Sequence, residues 1–122
     1  MTTETRKELR LEDWPVSNPV HALLVEARAY IADGSRWCQD RLADEEGRVC
    51  ALGAVQVCFS TEGRFHGAHD MALSLLQRAS LVLYRVNVTA RTHPMAQVND
   101  DLGHAAVLRC YDWAIAEALK ET

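Results

Sequence analysis

Three short pieces hold most of the chain's unusual polar chemistry: Trp37-Cys38-Gln39, Cys50-Ala51-Leu52-Gly53-Ala54 and Val98-Asn99-Asp100-Asp101-Leu102-Gly103-His104. A cysteine at a helix start lies among unpaired amide protons at the positive dipole end, a setting that favours the thiolate. With Cys50 there, His104 and Asp100 would supply a base and its orienter, and Gln39 an oxyanion donor. That is the layout of a cysteine hydrolase or transferase. Two physical points weigh against it. Free cysteine is among the most buried residue types and packs as a small hydrophobe. Thiol hydrolases also commonly aim their base from a sheet, and the patterning here gives none. The packing role is the preferred reading of Cys50.

Asn99, Asp100 and Asp101 suit a turn and a helix start, because Asx side chains bond nearby amides. The competing reading is a binding surface. As a cation site the group is weak, since calcium takes six to eight oxygen ligands. His66 and His69 would share a helix face and could meet a metal, but His66 precedes the predicted helix and no third ligand is evident. No metal site is predicted. His21 and His93 read as exposed loop or helix-start residues. Trp37 reads as a cap over the core, with ligand lining as the alternative, because its face wants burial and its N–H a partner. Trp14 falls in a loop. Trp113 falls at the edge of the last helix, where exposure would make it an interface anchor.

The pieces Trp-x-Gln, Cys-x-x-Gly-Ala and Asn-Asp-x-x-Gly before a final helix resemble a family of short bacterial and phage proteins described as a domain of unknown function. The resemblance spans about residues 20–120 and is closest over Val98–Arg109. Val98 stands where many members have a bulkier residue, and Asp40 where many have Gly. The resemblance implies no activity. It does imply that Trp37, Gln39, Cys50, Gly53, Asn99 and Asp100 belong to one constellation.

The elements that must position these residues follow from hydrophobic period. Asn18 and Pro19 open a helix predicted over 19–33, with Val20, Leu23, Leu24, Ala27 and Ile31 on one face and Gly34 as its left-handed end. Residues 34–49 read as loop, with a turn at Asp44-Glu45-Glu46-Gly47. The apolar block at 50–59 fits a buried helix better than a strand, with Gly53 as a close-packing point. Ser60 to Gly67 reads as a polar loop. A third helix is predicted over 68–84, with Ala68, Ala72, Leu75, Leu76, Ala79, Val82 and Leu83 inward and an extended tail near Val88 and Thr89. Residues 90–99 read as irregular around Pro94. The last helix, 104–120, carries Val107, Leu108, Tyr111, Ala114, Ile115, Ala118 and Leu119 on its inner face and should pack on the first. Residues 1–13 read as a flexible arm and 14–122 as one all-α domain of about four helices.

Composition limits the function. The chain has 122 residues, 48% hydrophobic and 25% charged, which is enough for a core without cross-links. Its 13 basic and 17 acidic residues leave a net charge of −4, with the arginines spread along the chain. A nucleic-acid partner is not expected without a basic stripe. No apolar run approaches the roughly 20 residues that span a bilayer, so no membrane is expected. The polar first ten residues lack the apolar core of a signal peptide, and no lipidation motif is present. Cys38, Cys50, Cys58 and Cys110 then read as cytoplasmic thiols. The expected function is a non-enzymatic binding or host-interaction protein without cofactor. It would hold a small molecule or a protein partner on the surface around Trp37, Gln39, Asn99 and Asp100. The Cys50/His104/Asp100 enzyme is the alternative, and an oligomeric interaction module the third reading. Gln39 and Asn99 are expected to pair side chain to side chain, with Trp37 shielding them and Cys50 beneath.

Overall fold

A computed structural model describes residues 18–62, 66–86 and 93–120. The expected arm over 1–13, the segment around Trp14 and the tail at Val88 and Thr89 lie outside the described residues. Among these residues there are five α-helices and no strand: α1 (Pro19–Ala32), α2 (Ala51–Glu62), α3 (His66–Tyr84), α4 (Pro94–Gln97) and α5 (His104–Lys120). A 3-10 turn, Gly34–Arg36, follows α1, and a π turn, Val98–Leu102, joins α4 to α5. Helix α1 packs against α2, α3 and α5, and α5 also against α3, so α1 runs through the centre of the core.

Helix α1 begins as its sequence requires. The Asn18 side chain accepts from the His21 amide at 3.0 Å and donates to the Ala118 carbonyl at 2.9 Å, capping α1 and tying it to the end of α5. All five residues of its predicted stripe are buried. Its end differs from expectation. Gly34 is not left-handed; Asp33 leaves the helix extended, and its carboxylate accepts from the Ser35 amide at 2.9 Å to open the 3-10 turn. A capping carboxylate thus replaces the glycine.

The block at 50–59 is helical, resolving the choice between helix and strand. Ala51, Ala54, Val55 and Cys58 are buried. Cys50 precedes the helix, and its carbonyl accepts from the Ala54 amide at 2.9 Å. The polar loop expected from Ser60 to Gly67 is a correction. α2 runs to Glu62 and α3 starts at His66, because polar composition alone does not distinguish a loop from a helix end. In α3 the stripe is buried through Ala79, but Val82 is 57% exposed and Leu83 also reaches solvent. Ser80 is buried in their place, its hydroxyl donating to the Leu76 carbonyl at 2.9 Å. Arg85, at φ 54°, ends the helix.

The irregular stretch expected over 90–99 is ordered helix from Pro94 onward. His93 caps α4: its Nδ1 accepts from the Met95 amide at 3.0 Å, and its Nε2 donates to the Leu73 carbonyl at 3.2 Å. It is half-buried rather than exposed, and burial holds its pKa below 6.5. Met95 and Val98 fill the space beneath. Gly103 (φ 96°) then turns the chain into α5. Along α5, Val107, Tyr111, Ala114 and Ala118 are buried as predicted, and Cys110 joins them. Leu119 is 56% exposed and Leu108 and Ile115 only partly buried, a correction to the predicted face, because the buried strip follows Val107, Cys110, Tyr111, Ala114 and Ala118 and these three lie at or beyond its edge. Trp113 is half-buried, with the Arg78 guanidinium 5.7 Å from its ring centre.

Candidate functional site

The connection from Asp33 to Cys50 is irregular, yet it is pinned at several points. The Asp44 carboxylate accepts from the amides of Glu46 and Arg48 at 3.0 and 2.9 Å, making the turn predicted there. Gly47 takes φ 83° at that turn. Trp37 and Val49 form a parallel bridge, with Val49 donating to the Arg36 carbonyl and Cys38 to the Val49 carbonyl. The Cys50 amide donates to the Leu42 carbonyl at 3.0 Å. That carbonyl crosses α2 at Gly53, where a Cβ would stand only 2.3 Å from its oxygen. The helical glycine is therefore a close-packing point, as the sequence suggested, and what it admits is loop backbone.

Asn99, only 1% exposed, is the centre of the site. Its Oδ1 accepts from the Trp37 indole N–H at 2.7 Å and from the Ala51 amide at 2.9 Å. Its Nδ2 donates to the Cys38 carbonyl at 3.1 Å and to Asp100 Oδ1 at 3.0 Å. A side-chain amide offers two donors and two acceptor positions, and all four are used. Ala51 is the first residue of α2, so Asn99 caps that helix from 48 residues away. The π turn carries Asn99 inward and closes with the Gly103 amide on the Val98 carbonyl at 3.2 Å. Gln39 completes the link, but not as expected. Its Nε2 donates to the backbone carbonyls of Asn99 and Asp100, each at 3.1 Å, because the Asn99 side chain has no capacity left. Asp100 Oδ1 also accepts from the Asp40 amide at 2.8 Å and so holds the loop at Asp40, whose φ is 71°.

Trp37, Gln39, Cys50, Asn99 and Asp100 do come together. The proposed catalytic roles find different partners. The Cys50 thiol is buried, and burial pushes its pKa up; the Gly53 and Leu52 amides pull the other way and lose. Burial thus opposes the thiolate that the helix start favours. His104 donates from Nε2 to the Ile31 carbonyl at 2.6 Å, and its ring lies against Trp37 with centroids 5.0 Å apart. It joins α5 to the end of α1. Sequence reasoning missed the Tyr111 hydroxyl, which donates to the Ala51 carbonyl at 2.6 Å inside the core. Tyr111 sits in an apolar stripe, and nothing in its spacing marks the hydroxyl's target. Asp40 and Leu42 were also missed; the Gly53 signal pointed to a close approach without naming what approaches.

Three hollows border this region. A cleft of about 190 Å³ lies between Asp40, Leu42, Cys50, Leu52, Ala96 and Asp100. An apolar one of about 260 Å³ lies over Val49, Gly53 and Val57, again against Leu42. A wider one, about 430 Å³, sits within the loop among Cys38, Gln39, Arg48 and Glu46. Among the described residues no three His, Cys, Asp or Glu gather as a metal site, and no helix is long and apolar enough to cross a membrane. His69 contacts Asp70 at 3.4 Å; the side chain of His66 lies outside the described residues.

The chain belongs to a family of unknown function, DUF6197, whose model matches residues 15–117. No curated protein and no solved structure matches it.

Proposed function

We propose that this family member is a non-enzymatic, cytoplasmic binding protein that holds a segment of a protein partner in the cleft beside Asn99 and Asp100. One observation carries the reading: every hydrogen-bonding position of the Asn99 amide is spent inside the protein, while an open cleft remains at the rim of its network. The Asn99 amide helps build the wall of the cleft and, with every position spent, is not free to act on Cys50. At about 190 Å³ this cleft suits a side chain, being below the roughly 300–1,000 Å³ typical of small-molecule pockets, whereas the hollow of about 430 Å³ within the loop falls inside that range. Four cysteines that form no disulfide suit a reducing compartment. The resemblance to phage proteins supports a host protein as that partner.

Native mass spectrometry of the protein isolated from its source cells tests this. The wild-type chain should carry a partner mass that Leu42→Asp loses, and native iodoacetamide should leave Cys50 unlabelled. A partner-free chain that alkylates rapidly at Cys50 and hydrolyses esters, with hydrolysis abolished by Cys50→Ser, would overturn the reading in favour of the hydrolase.

A further inference from the structure

The 190 Å³ cleft and the 260 Å³ cleft share one wall, Leu42. Its backbone is fixed on α2 by the Cys50 amide and by Gly53, while its side chain is 52% exposed. Both clefts are mostly apolar, but they differ in charge. The larger is floored by Val49, Gly53 and Val57. The smaller carries Asp40 and Asp100, two carboxylates without the cation partners that several others have. Asp44 is answered by Arg48 at 2.6 Å, Asp112 by Arg28 at 2.7 Å, and Glu117 by Arg78 at 3.4 Å and Lys120 at 3.0 Å. Neither Asp40 nor Asp100 has a cation partner among the described residues. Asp100 uses only Oδ1, and both bonds to it come from uncharged amides. The one cation lining that cleft, Arg41, is engaged by Glu45 at 3.5 Å.

Resting on the binding reading above, we infer that this seat takes an extended partner segment with one basic and one aliphatic anchor. A lysine or arginine enters the cleft of Asp40 and Asp100, and a valine, isoleucine or leucine enters the cleft over Gly53. Charge complementarity selects the first anchor: a guanidinium or ammonium makes charge-assisted bonds to the open carboxylate oxygens, and its aliphatic stem lies along Leu52 and Ala96. The exposed Leu42 between the clefts packs on the segment joining the anchors. The chain's net charge of −4 favours approach of a basic segment and makes the affinity salt-sensitive.

The test is a randomised peptide display library panned on the full chain, followed by titration of synthetic peptides made from the enriched sequences. Backbone amide shifts locate where they bind. Two variants probe the seat without touching the fold's bonds, Asp40→Asn at the basic anchor and Leu42→Ser at the wall that both clefts share. Asp40→Asn keeps a residue type that tolerates φ 71°, and Leu42→Ser leaves the backbone contacts in place. Circular dichroism matching wild type confirms that each variant folds. Peptides pairing a basic with an aliphatic residue, shifting the amides of 40–42 and 96–100, and weakened at least tenfold by each variant, support the inference. Peptides of acidic or purely aromatic character that still shift those amides leave the binding reading standing and overturn this partner chemistry. No enriched peptide, or none that moves the cleft's amides, overturns both.

Discussion

The helical core and the loop region around Asn99 are held by different means. In the core, α1, α3 and α5 bury Leu23, Leu24, Ile31, Leu76 and Val107 completely, and many apolar contacts share the load. Each neighbour is replaceable by another hydrophobe of similar volume at modest cost. Around the loop, one amide serves an indole, a helix start, a loop carbonyl and a carboxylate. No second side chain can take over those four bonds. Stability in the first region is distributed, and in the second it is concentrated in one residue.

Substitution at Asn99 is the sharpest way to break that comparison. Asn99→Ala orphans the Trp37 N–H, the Ala51 amide and the Cys38 carbonyl, at roughly 1–3 kcal/mol each where they stay buried. Chemical denaturation should show a loss of about 3–6 kcal/mol, at least equal to the loss of about 2–5 kcal/mol for Leu24→Ala in the core. An Asn99→Ala loss below about 1 kcal/mol would mean that water or a relaxed loop replaces its bonds and the concentration of stability is false.

Gly53→Ala has the next largest effect. In an ordinary helix this change gains about 1 kcal/mol. Here the new methyl meets the Leu42 carbonyl, a backbone atom, so the loop must lift. A net destabilisation of about 1–3 kcal/mol is expected, with weakened protection of the Cys50 amide in hydrogen exchange. A stabilised variant would show the loop rides loosely on α2.

His93 gives a smaller, pH-dependent effect. Its native pKa lies below the 6.5 of a free imidazole, because it is buried, although the Leu73 carbonyl pulls in the opposite direction. The unfolded chain therefore binds the proton more readily. This contribution to stability is present above about pH 6.5 and declines as the pH falls from there toward the lower native value. Denaturation midpoints of wild type and His93→Gln, compared at pH 7.5 and near pH 5.5, should show the flatter pH dependence in the variant. Equal slopes would remove His93 from the acid response. Smallest of all is Arg109→Ala. Its guanidinium reaches the Tyr84 hydroxyl at 3.0 Å in the open, so the change should cost less than about 0.5 kcal/mol by thermal melting.

The same division governs what could be read from the sequence. The core was legible because a buried stripe at helical period is a local signal: Val20 through Ile31 and Val107 through Ala118 need only their own spacing to be recognised. Where stripes misled, at Val82 and Leu119, the period continued past the edge of what the neighbouring helices cover. The helix predicted over 50–59, which runs over Ala51–Glu62, was recognised although its β-branched residues favour strands, since the length of the apolar block and the Ala51–Phe59 pattern outweighed propensity. The convergence of Trp37, Gln39, Cys50, Asn99 and Asp100 was legible as a set, but not its wiring. Gln39 bonds to backbone instead of side chain, and Tyr111 contributes a hydroxyl from an apolar face. Hydrogen-bond partners 60 or more residues apart leave no periodic trace.

The distant cap on α2 also has a consequence in time. A chain grows on the ribosome at about 5–20 residues per second, so a residue 48 positions downstream arrives about 2–10 s after Ala51. For that interval α2 has neither its amide cap nor the Tyr111 hydroxyl, which lies 60 residues on. Short uncapped helices are marginal in water, so the nascent apolar face of Ala51–Cys58 is open to chaperones and to other chains until the last helix emerges. Slowing translation after residue 60 therefore lengthens the window in which that face is uncovered, whereas slowing it before Ala51 does not.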